Sequence, residues 1–339
     1  MKKNITIKDV AKETGVHVST VSRALSPNAR ASLSKEVVER IRSKAKQMGY
    51  RPNRVASGLR TKRSMTVGIV IPDITNALYA PILLGVESVL EDAGYASILV
   101  NSDGDPKREE RLVDLLLERG VDGIIDAAVT SQDDKVAEIS ERVPIVTANR
   151  MVFGSGIPAV INDDAGGIKA MFKLLFDKGH RNIAYIGGPS RLSTGEVRNE
   201  AFKNAAQTHG ITINTKSMKF PKKYTEDEGL ICADAIFEEK PDITAILCAN
   251  DRLALGSLEA VTARGLKCPT DISITGFNDI PLIDRIPPGL TTIRILQFDV
   301  GRIAAELLLK KMNDTNIAVP ETTIMPVTIV ERGSVFTLN

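Results

Sequence analysis

A short amino-terminal segment carries side chains whose chemistry suits a DNA groove. Val18, Ser19, Ser22 and Arg23 have short or cationic side chains, and helical spacing places them on one outward face. The planar guanidinium of Arg23 matches the two acceptor atoms that a guanine presents in the major groove. Serine hydroxyls offer single hydrogen bonds, and a valine can contact a thymine methyl group. We therefore hypothesise that this face contacts DNA.

The residues around this face predict two helices joined by a tight turn. Thr6 is a favourable N-cap for the first helix, and Gly15 ends it because glycine tolerates the left-handed backbone of a sharp turn. Val16 closes the corner, and the second helix begins near His17. The same pattern is compatible with a small helical hairpin of no particular function. The sequence that follows decides between these alternatives.

A third helix and a further short segment follow the helix pair. Residues 34 to 48 carry apolar side chains at helical spacing and are followed by Gly49. The chain resembles the headpiece and hinge of the LacI/GalR (lac repressor/galactose repressor) family of bacterial transcriptional regulators in the motifs TIKDVAKETGVHVSTVSRALS and GYRPNRVASGLR. The resemblance extends over the whole chain. It implies a helix-turn-helix DNA-binding headpiece over residues 1–49 and a hinge helix or linker over residues 50–64.

The resemblance also implies which side chains contact DNA. Family members reach base edges from the positions that match Val18, Ser19 and Arg23, whereas Thr20 and Ser22 are better suited to phosphates. The hinge helix of the family enters the minor groove and wedges a leucine between base pairs. The expected DNA-binding residues are Thr6, Val18, Ser19, Thr20, Ser22, Arg23, Asn53, Ala56 and Leu59.

The hinge segment at residues 53 to 59 is short and contains a glycine. An isolated helix of this length is too weak to persist in water. We predict that the segment is disordered until DNA and a partner hinge order it. A plain linker is the alternative.

The charge distribution independently favours DNA. The chain has 44 Lys and Arg and 42 Asp and Glu, a net charge of +2. Residues 1–64 hold 16 of the basic and 4 of the acidic residues, a net charge of +12, which leaves −10 for residues 65–339. The basic end is therefore the end that a polyanion would bind, although a solvated basic tail would show the same count.

The composition bounds the class of protein. The 339 residues are 43% apolar and 4% aromatic with no Trp, which suits an aliphatic interior of sheets and helices. No apolar run reaches the ~18 residues of a membrane helix, and the amino terminus has no apolar signal core, so we expect a cytoplasmic protein. The cysteines are expected to be buried free thiols, and His180 and His209 to cap helices.

From residue 65 the pattern changes to short apolar strands separated by helical stretches. This alternation predicts parallel sheets covered on both faces by helices. Beside the all-α headpiece we expect an α/β periplasmic-binding-protein-like core of two doubly wound parallel-sheet subdomains. This effector-binding and dimerisation core would span residues 65–339, with an N-subdomain of about residues 65–162 and 291–322 and a C-subdomain of about residues 163–290 and 323–339.

Polar side chains follow the predicted strands and should face one cleft, because ligands in such folds bind beyond the carboxyl ends of the strands. By resemblance, Arg198 and Asn250 match the arginine and asparagine that family members use on their ligands. The expected effector-binding residues are Asp73, Tyr79, Asn149, Arg150, Thr194, Arg198, Asn250 and Asn278.

Two carboxylates of the family pattern are missing from that cleft. Sugar-binding members commonly carry aspartate at the positions of Asn149 and Asn278. Without those charges, Arg198 and Arg150 would leave the cleft more positive. We therefore hypothesise an anionic effector, such as a sugar acid or a sugar phosphate. Two alternatives stay open: nearby aspartates could restore the negative charge, or the two asparagines could satisfy strand-end backbone groups and touch no ligand.

Catalytic motifs are missing from the sequence. It lacks GxGxxG after the first strand, GxxxxGK[ST], GxSxG and any metal-ligand spacing. We expect no enzyme activity, no catalytic residue, no metal and no cofactor. The aspartate pairs at residues 133–134 and 163–164 are better explained by helix caps and exposed turns than by acid/base dyads.

These features together predict a dimeric, allosteric, carbohydrate-responsive transcriptional regulator, most simply a repressor of genes for carbohydrate or sugar-acid metabolism. Two helix-turn-helix units related by a twofold axis read a pseudo-palindromic operator in double-stranded DNA. The chain has no leucine heptad tail, so we do not expect a tetramer of the lac repressor type. The competing interpretation is a solute-binding receptor without DNA-linked regulation, which would carry a signal peptide. Whether the effector releases DNA or promotes its binding stays open.

Overall fold

A computed structural model of the chain describes residues 5–25, 33–50, 63–239, 242–314 and 317–338. The chain divides into two units, Met1–Met65 and Thr66–Asn339, and each contains its own cluster of buried apolar side chains. The hinge contacts predicted at Asn53, Ala56 and Leu59 lie outside the described residues.

Helices make up the described part of the first unit. They are α1 (Ile7–Thr14), α2 (Val18–Ala24) and α3 (Lys35–Met48). Val10, Val21 and Ile41, one from each helix, are completely buried where the helices meet. The predicted helix-turn-helix with a third helix is confirmed, because apolar side chains at helical spacing converge on one small core.

Local sequence signals set the ends of these helices. The backbone N–H and the hydroxyl of Thr6 both donate to the carboxylate of Asp9 at 2.8 Å, so Thr6 begins α1 as predicted. Gly15 follows α1 with a φ of 64°, a conformation that costs glycine little. Ser34 begins α3 by accepting a hydrogen bond from the backbone N–H of Val37 at 3.4 Å.

A parallel six-stranded sheet forms the first half of the second unit, in the order β11-β5-β4-β3-β1-β2. Its strands are β1 (Thr66–Ile71), β2 (Ala96–Asn101), β3 (Gly123–Asp126), β4 (Ile145–Ala148), β5 (Ala159–Asn162) and β11 (Thr322–Met325). The central strands β3 and β4 are buried throughout, which explains their continuous apolar sequence. Strand β11 belongs to this sheet and extends past the predicted N-subdomain limit at residue 322.

A parallel four-stranded sheet forms the second half, in the order β7-β6-β8-β9. Its strands are β6 (Ile183–Ile186), β7 (Met218–Lys219), β8 (Ala245–Cys248) and β9 (Ser273–Thr275). Two short strands, β10 (Thr292–Arg294) and β12 (Thr328–Val330), pair antiparallel beside it. Residues 275 and 278 of the second half form bridges to residues 291 and 294. The predicted second segment of the N-subdomain, residues 291–322, therefore begins with residues that pair with the second half.

Helices cover the sheets, as the alternating pattern predicts. The first half carries α4 (Tyr79–Asp92), α5 (Pro106–Glu118), α6 (Asp134–Ser140) and α11 (Gln297–Asn313). The second half carries α7 (Asp164–Asp177), α8 (Ser193–Thr208), α9 (Glu226–Glu239) and α10 (Asp251–Ala263). Helix α11 packs on α4 so closely that a Cβ atom at Gly85 or Gly301 would collide with a backbone carbonyl of the other helix. This contact places α11 with the first half.

The two histidines of the core differ in their roles. His180 is buried, with Nδ1 2.9 Å from the hydroxyl of Thr244 and Nε2 3.0 Å from the carbonyl oxygen of Phe336. Its side chain therefore joins distant segments, while its backbone N–H donates to the carbonyl oxygen of Leu175 at 3.0 Å and caps the end of α7, as predicted. His209 is the C-cap residue of α8, and its Nδ1 lies 2.8 Å from the carbonyl oxygen of Ala205, as expected.

Predictions for the cysteines and aspartate pairs hold only in part. Cys232 and Cys248 are buried free thiols, whereas Cys268 is partly exposed. Asp133 and Asp163 cap helices, as predicted. Asp164 is buried with an arginine partner, so it does not lie in an exposed turn.

Candidate functional site

The exposed side chains of α2 form the candidate DNA-contacting surface. Arg23 is exposed, and its Nε donates to the carbonyl oxygen of Ser19, one helical turn earlier, at 3.4 Å. The Nδ1 of His17 accepts from the backbone N–H of Ser19 at 3.2 Å and lies 2.8 Å from the Ser19 hydroxyl. Of the three side chains expected to contact bases, Ser19 and Arg23 therefore have local partners that a base edge could replace.

The outward face of α2 is narrower than the sequence predicts. Val18 is half-buried because it packs against the cluster around Val10 and Val21, so only part of it is available to a thymine methyl group. Thr20 and Ser22 are half-buried as well.

A cavity of about 280 Å³ lies between the two halves of the second unit. All eight residues predicted to bind the effector line it: Asp73, Tyr79, Asn149, Arg150, Thr194, Arg198, Asn250 and Asn278. The structure adds charged and aromatic side chains that the prediction omits: Asp103, Arg191, Lys223, Tyr224 and Arg252. Arg191 belongs to the loop after β6, which the strand-end rule covers, whereas Lys223 and Tyr224 follow a strand of two residues whose signal is weak.

The two asparagines that replace family aspartates are buried in the cavity wall. Both have positive φ angles, 66° for Asn149 and 117° for Asn278, which asparagine adopts more readily than most residues. Asn149 is held by its neighbours, since its Oδ1 accepts from Nδ2 of Asn162 at 3.2 Å. The Oδ1 of Asn278 is buried and has no hydrogen-bond partner within the described residues. Asn278 therefore has an unsatisfied acceptor in the cavity wall.

Arg198 is the most completely neutralised cation of the cavity wall. Its Nη2 and Nε donate to Oδ1 of Asp164 at 2.6 and 2.9 Å, and its Nη1 donates to the carbonyl oxygen of Ala249 at 2.6 Å. The guanidinium carbon lies 3.7 Å from the ring centre of Phe277. Burial raises the pKa of Asp164, and the ion pair with Arg198 opposes this shift. The expectation that Arg198 makes the cleft more positive is therefore not supported.

Arg150 and Arg191 have a different environment. Arg150 is 7% exposed, and its Nη1 donates to the carbonyl oxygen of Ala128 at 2.9 Å. Its Nε is buried without a hydrogen-bond partner in the part of the chain that the structure describes. Burial lowers the pKa of Arg191, and the charge of Arg150 lowers it further, which shows that the two guanidiniums lie within electrostatic range.

Two buried carboxyl groups lie behind Arg150. Burial and the charges of Asp126 and Asp133 together raise the pKa of Glu109 to about 9, while Arg150 and Arg191 oppose the shift. Burial also raises the pKa of Asp126, to about 7. The Oε1 of Glu109 has no hydrogen-bond partner among the described residues. At neutral pH Glu109 is therefore largely protonated and Asp126 is only partly ionised, so together they compensate the arginines incompletely.

An ion pair connects the two halves at the cavity. Arg252, at the start of α10, donates from Nη1 to Oδ2 of Asp73 at 2.7 Å, and its Nη2 lies 2.7 Å from Oε2 of Glu226. Burial raises the pKa of Asp73, but hydrogen bonds from Thr75 and Arg252 outweigh this effect and lower it. Asp73 is therefore committed to a protein partner. Of the other aspartates that could restore negative charge, Asp251 accepts from Thr292 and residue 279 pairs with two arginines, and neither lines the cavity.

Thr194, Tyr224 and Asn250 complete the polar wall. The Tyr224 hydroxyl donates to the hydroxyl of Thr194 at 3.5 Å, and Asn250 caps α10 by accepting from the N–H of Leu253 at 2.9 Å. Within the described ranges, no group of three His, Cys, Asp or Glu residues could hold a metal ion, and no helix is long and apolar enough to cross a membrane.

Comparisons with known proteins agree with this architecture. Residues 6–53 match the family described as bacterial regulatory proteins, lacI family, and residues 172–335 match a periplasmic binding protein-like domain. Catabolite control protein A of Priestia megaterium is 35% identical over 318 residues, covering 93% of this chain and 94% of that protein.

Two solved structures illustrate the fold. The lac repressor dimer bound to operator and the anti-inducer ONPF superimposes with a TM-score of 0.86 at 24% identity, over 98% of this chain and 100% of that chain. A LacI family transcriptional regulator from Enterococcus faecium with bound ribose gives a TM-score of 0.70 at 28% identity, over 81% of this chain and all of that one.

A helix-turn-helix unit joined to a two-sheet core with a cavity between the halves defines a ligand-responsive DNA-binding regulator. The similarity to catabolite control protein A extends over nearly the whole length of both proteins. The chain belongs to the lacI family of bacterial transcriptional regulators.

Proposed function

We propose that the chain is a repressor whose affinity for its operator is controlled by a sugar-derived effector in the interdomain cavity. The observation that carries this proposal is the cavity itself, since side chains from both sheets line it. A ligand that contacts both halves stabilises one arrangement of them over others, which is how binding energy becomes a conformational change. The relative from Enterococcus faecium holds ribose, which supports a carbohydrate as the effector.

The favoured effector carries a negative charge, as a sugar acid or a sugar phosphate does. Arg150, Arg191 and Lys223 line the cavity and have no ion-pair partner among the described residues. Asp73, by contrast, is paired with Arg252. An anionic group would supply the charge that these cations lack.

For DNA, we propose the headpiece of residues 1–49, with Thr6, Val18, Ser19, Thr20, Ser22 and Arg23, and the hinge of residues 50–64, with Asn53, Ala56 and Leu59. A homodimer would present two headpieces to a pseudo-palindromic operator. The lac repressor neighbour is a dimer on its operator, which supports this arrangement. A protein that binds operator DNA acts where the chromosome is, so we propose a cytoplasmic location. Within the core we propose the predicted subdomains with two changes. Strand β11 joins the N-subdomain, and strand β10 joins the C-subdomain.

The experiment begins by selecting binding sites from random double-stranded DNA with the full-length protein. Replacement of Arg23 by Gln should weaken binding to the selected site by roughly 5- to 100-fold and relax preference at one base pair, because a bidentate guanine contact contributes ~1–3 kcal/mol of discrimination. Arg142→Gln, at an exposed arginine of the core, is the charge-matched control and should change nothing. An unchanged affinity and preference in Arg23→Gln would contradict the proposed base contact.

The effector arm measures DNA affinity by fluorescence anisotropy with and without glucose, glucuronate, ribose and ribose 5-phosphate. At least one of these should both bind and change DNA affinity, and the sign of the change separates induction from corepression. A protein that binds a sugar compound tightly but shows no affinity for any DNA would instead be a solute-binding receptor.

A further inference from the structure

We propose that Arg150 and Arg191 clamp the anionic group of the effector between them, one guanidinium from each half of the core, so that the anion holds the cleft closed. This inference rests on the proposed effector function and adds the residues that select the effector's charge. Arg191 follows β6 of the second half, whereas Arg150 follows β4 of the first half. A ligand bound by both side chains therefore bridges the halves.

Arg150 is a buried cation with unused donors. It is 7% exposed, and of its five N–H groups one donates to the carbonyl oxygen of Ala128. Its Nε is buried without a partner among the described residues. A buried guanidinium without a carboxylate is costly, and proteins retain one where a ligand completes it.

Arg191 lines the same cavity as Arg150 and belongs to the opposite half of the core. Its backbone carbonyl accepts from the N–H of Ser131 at 2.9 Å, and its Nη2 lies 3.4 Å from the carbonyl oxygen of Gly104. The loop that carries Arg191 is therefore anchored on the first half at two points. Two like charges held across a cleft repel each other, and an oxyanion between them turns that repulsion into two attractions.

Other arginines of the cavity are unsuited to this role. Arg198 already donates to Asp164 and to the carbonyl oxygen of Ala249, and Arg252 already pairs with Asp73 and Glu226. An anion at either of these would compete with a carboxylate in place. Among the arginines of the cavity, the charge-selecting function therefore falls to Arg150 and Arg191.

The buried carboxyl groups near Arg150 and Arg191 should make anion binding depend on pH. Glu109 on α5 faces Asp126 at the end of β3 and Asp133 before α6, and both arginines of the clamp act on it. A bound anion weakens the attraction of the arginines for these carboxylates, so it favours their protonated forms. Anion binding is therefore linked to proton uptake and weakens as pH rises through neutrality, whereas binding of a neutral sugar is not affected in this way.

The test uses isothermal titration of the full-length protein with glucuronate, with glucose as the neutral counterpart, and with inorganic phosphate and ribose 5-phosphate. Arg150→Gln and Arg191→Gln should each weaken binding of the anions ~10- to 100-fold, as expected for a charged hydrogen bond. Both should weaken glucose binding much less than anion binding, because a neutral sugar gains no ion pair from either guanidinium. Arg150→Lys should recover part of the anion affinity, and Arg142→Gln should have none of these effects.

A second readout is the pH dependence of glucuronate binding between pH 6 and pH 9. A sugar carboxylate stays ionised throughout this range, so a loss of affinity at higher pH reports groups of the protein. Glu109→Gln should reduce this dependence, because it removes one of the buried carboxyls.

Several outcomes would overturn the clamp. They are the absence of binding by all three anions at millimolar concentration, loss of anion binding in only one of the two Gln variants, and equal losses for glucose and glucuronate. If glucose alone binds and changes DNA affinity, the clamp is wrong while the proposed regulator stands. If anions bind through both arginines without changing DNA affinity, the clamp stands and the proposed regulation fails.

Discussion

The buried arginines on the two walls of the cavity differ in their bonding partners. On the wall of the second half, Arg198 has a carboxylate, a carbonyl and an aromatic ring as partners. On the wall of the first half, Arg150 has one carbonyl partner and no carboxylate within salt-bridge distance among the described residues. The same residue type is therefore fully paired on one wall and lacks an ion pair on the other.

This difference shows that the charge of the effector cannot be inferred by counting the charged residues predicted to line the cleft. Two family aspartates are replaced by Asn149 and Asn278, and the sequence alone suggests that Arg198 becomes uncompensated. Asp164, 34 residues earlier in the chain, compensates it instead. The hypothesis of an anionic effector therefore no longer depends on Arg198. It depends on Arg150 of the first wall and on Arg191 of the loop that faces it.

The largest expected effect is a difference in the free energy of unfolding between variants of Arg198 and Arg150. Arg198→Gln should lower the free energy of unfolding by ~3–5 kcal/mol, because it leaves the buried carboxylate of Asp164 without its partner. Arg150→Gln should leave that free energy unchanged or raise it, because it removes a buried charge that has no carboxylate. Urea denaturation of both variants measures the contrast, and equal losses of stability would remove the distinction between the walls.

A pH titration of stability tests the carboxyls of the first wall. The pKa of Glu109 is raised from an ordinary 4.5 to about 9, so the folded state binds more protons than the unfolded state between these values. Its contribution to stability is fully present below pH 4.5 and is lost as pH rises toward 9. In Glu109→Gln the decline in unfolding free energy from pH 5 to pH 9 should be smaller than in the wild type by roughly 1 kcal/mol or more.

The sign of this difference in pH dependence decides whether Glu109 is protonated or ionised in the folded protein. A wild-type stability that rises with pH over this range relative to Glu109→Gln would show that Glu109 is ionised in the folded protein. In that case Arg150 would already be neutralised.

The smallest expected effect concerns the ion pair that joins the walls. Asp73→Asn should lower the free energy of unfolding by only ~0.2–1 kcal/mol, because the Asp73 side chain is 29% exposed and its ion pair is screened by solvent. Glu226→Gln is the matched control, since Glu226 pairs with the same Arg252 from within the second half. A difference in effector affinity between these variants at equal stability would assign the Asp73 pair to cleft closure.

Much of the fold could be predicted from local patterns. Gly15 and Gly49 follow helices with positive φ angles, and short apolar runs became the central strands of two parallel sheets. The eight predicted cavity residues line one cavity because the carboxyl ends of parallel strands meet at one edge. The short strands β10 and β12 escaped prediction, because segments of three residues carry too little periodicity.

What the sequence alone determined is the order of helices and strands, the helix-turn-helix and the loops that surround the cavity, since each depends on residues close together in the chain. Only the tertiary structure decided which of these side chains are already satisfied. Asp164 meets Arg198, and Asp73 meets Arg252 across 179 residues, through contacts that no local spacing encodes. The incomplete compensation of Arg150 follows from the same cause, because the carboxyls near it are buried together and their pKa values are raised.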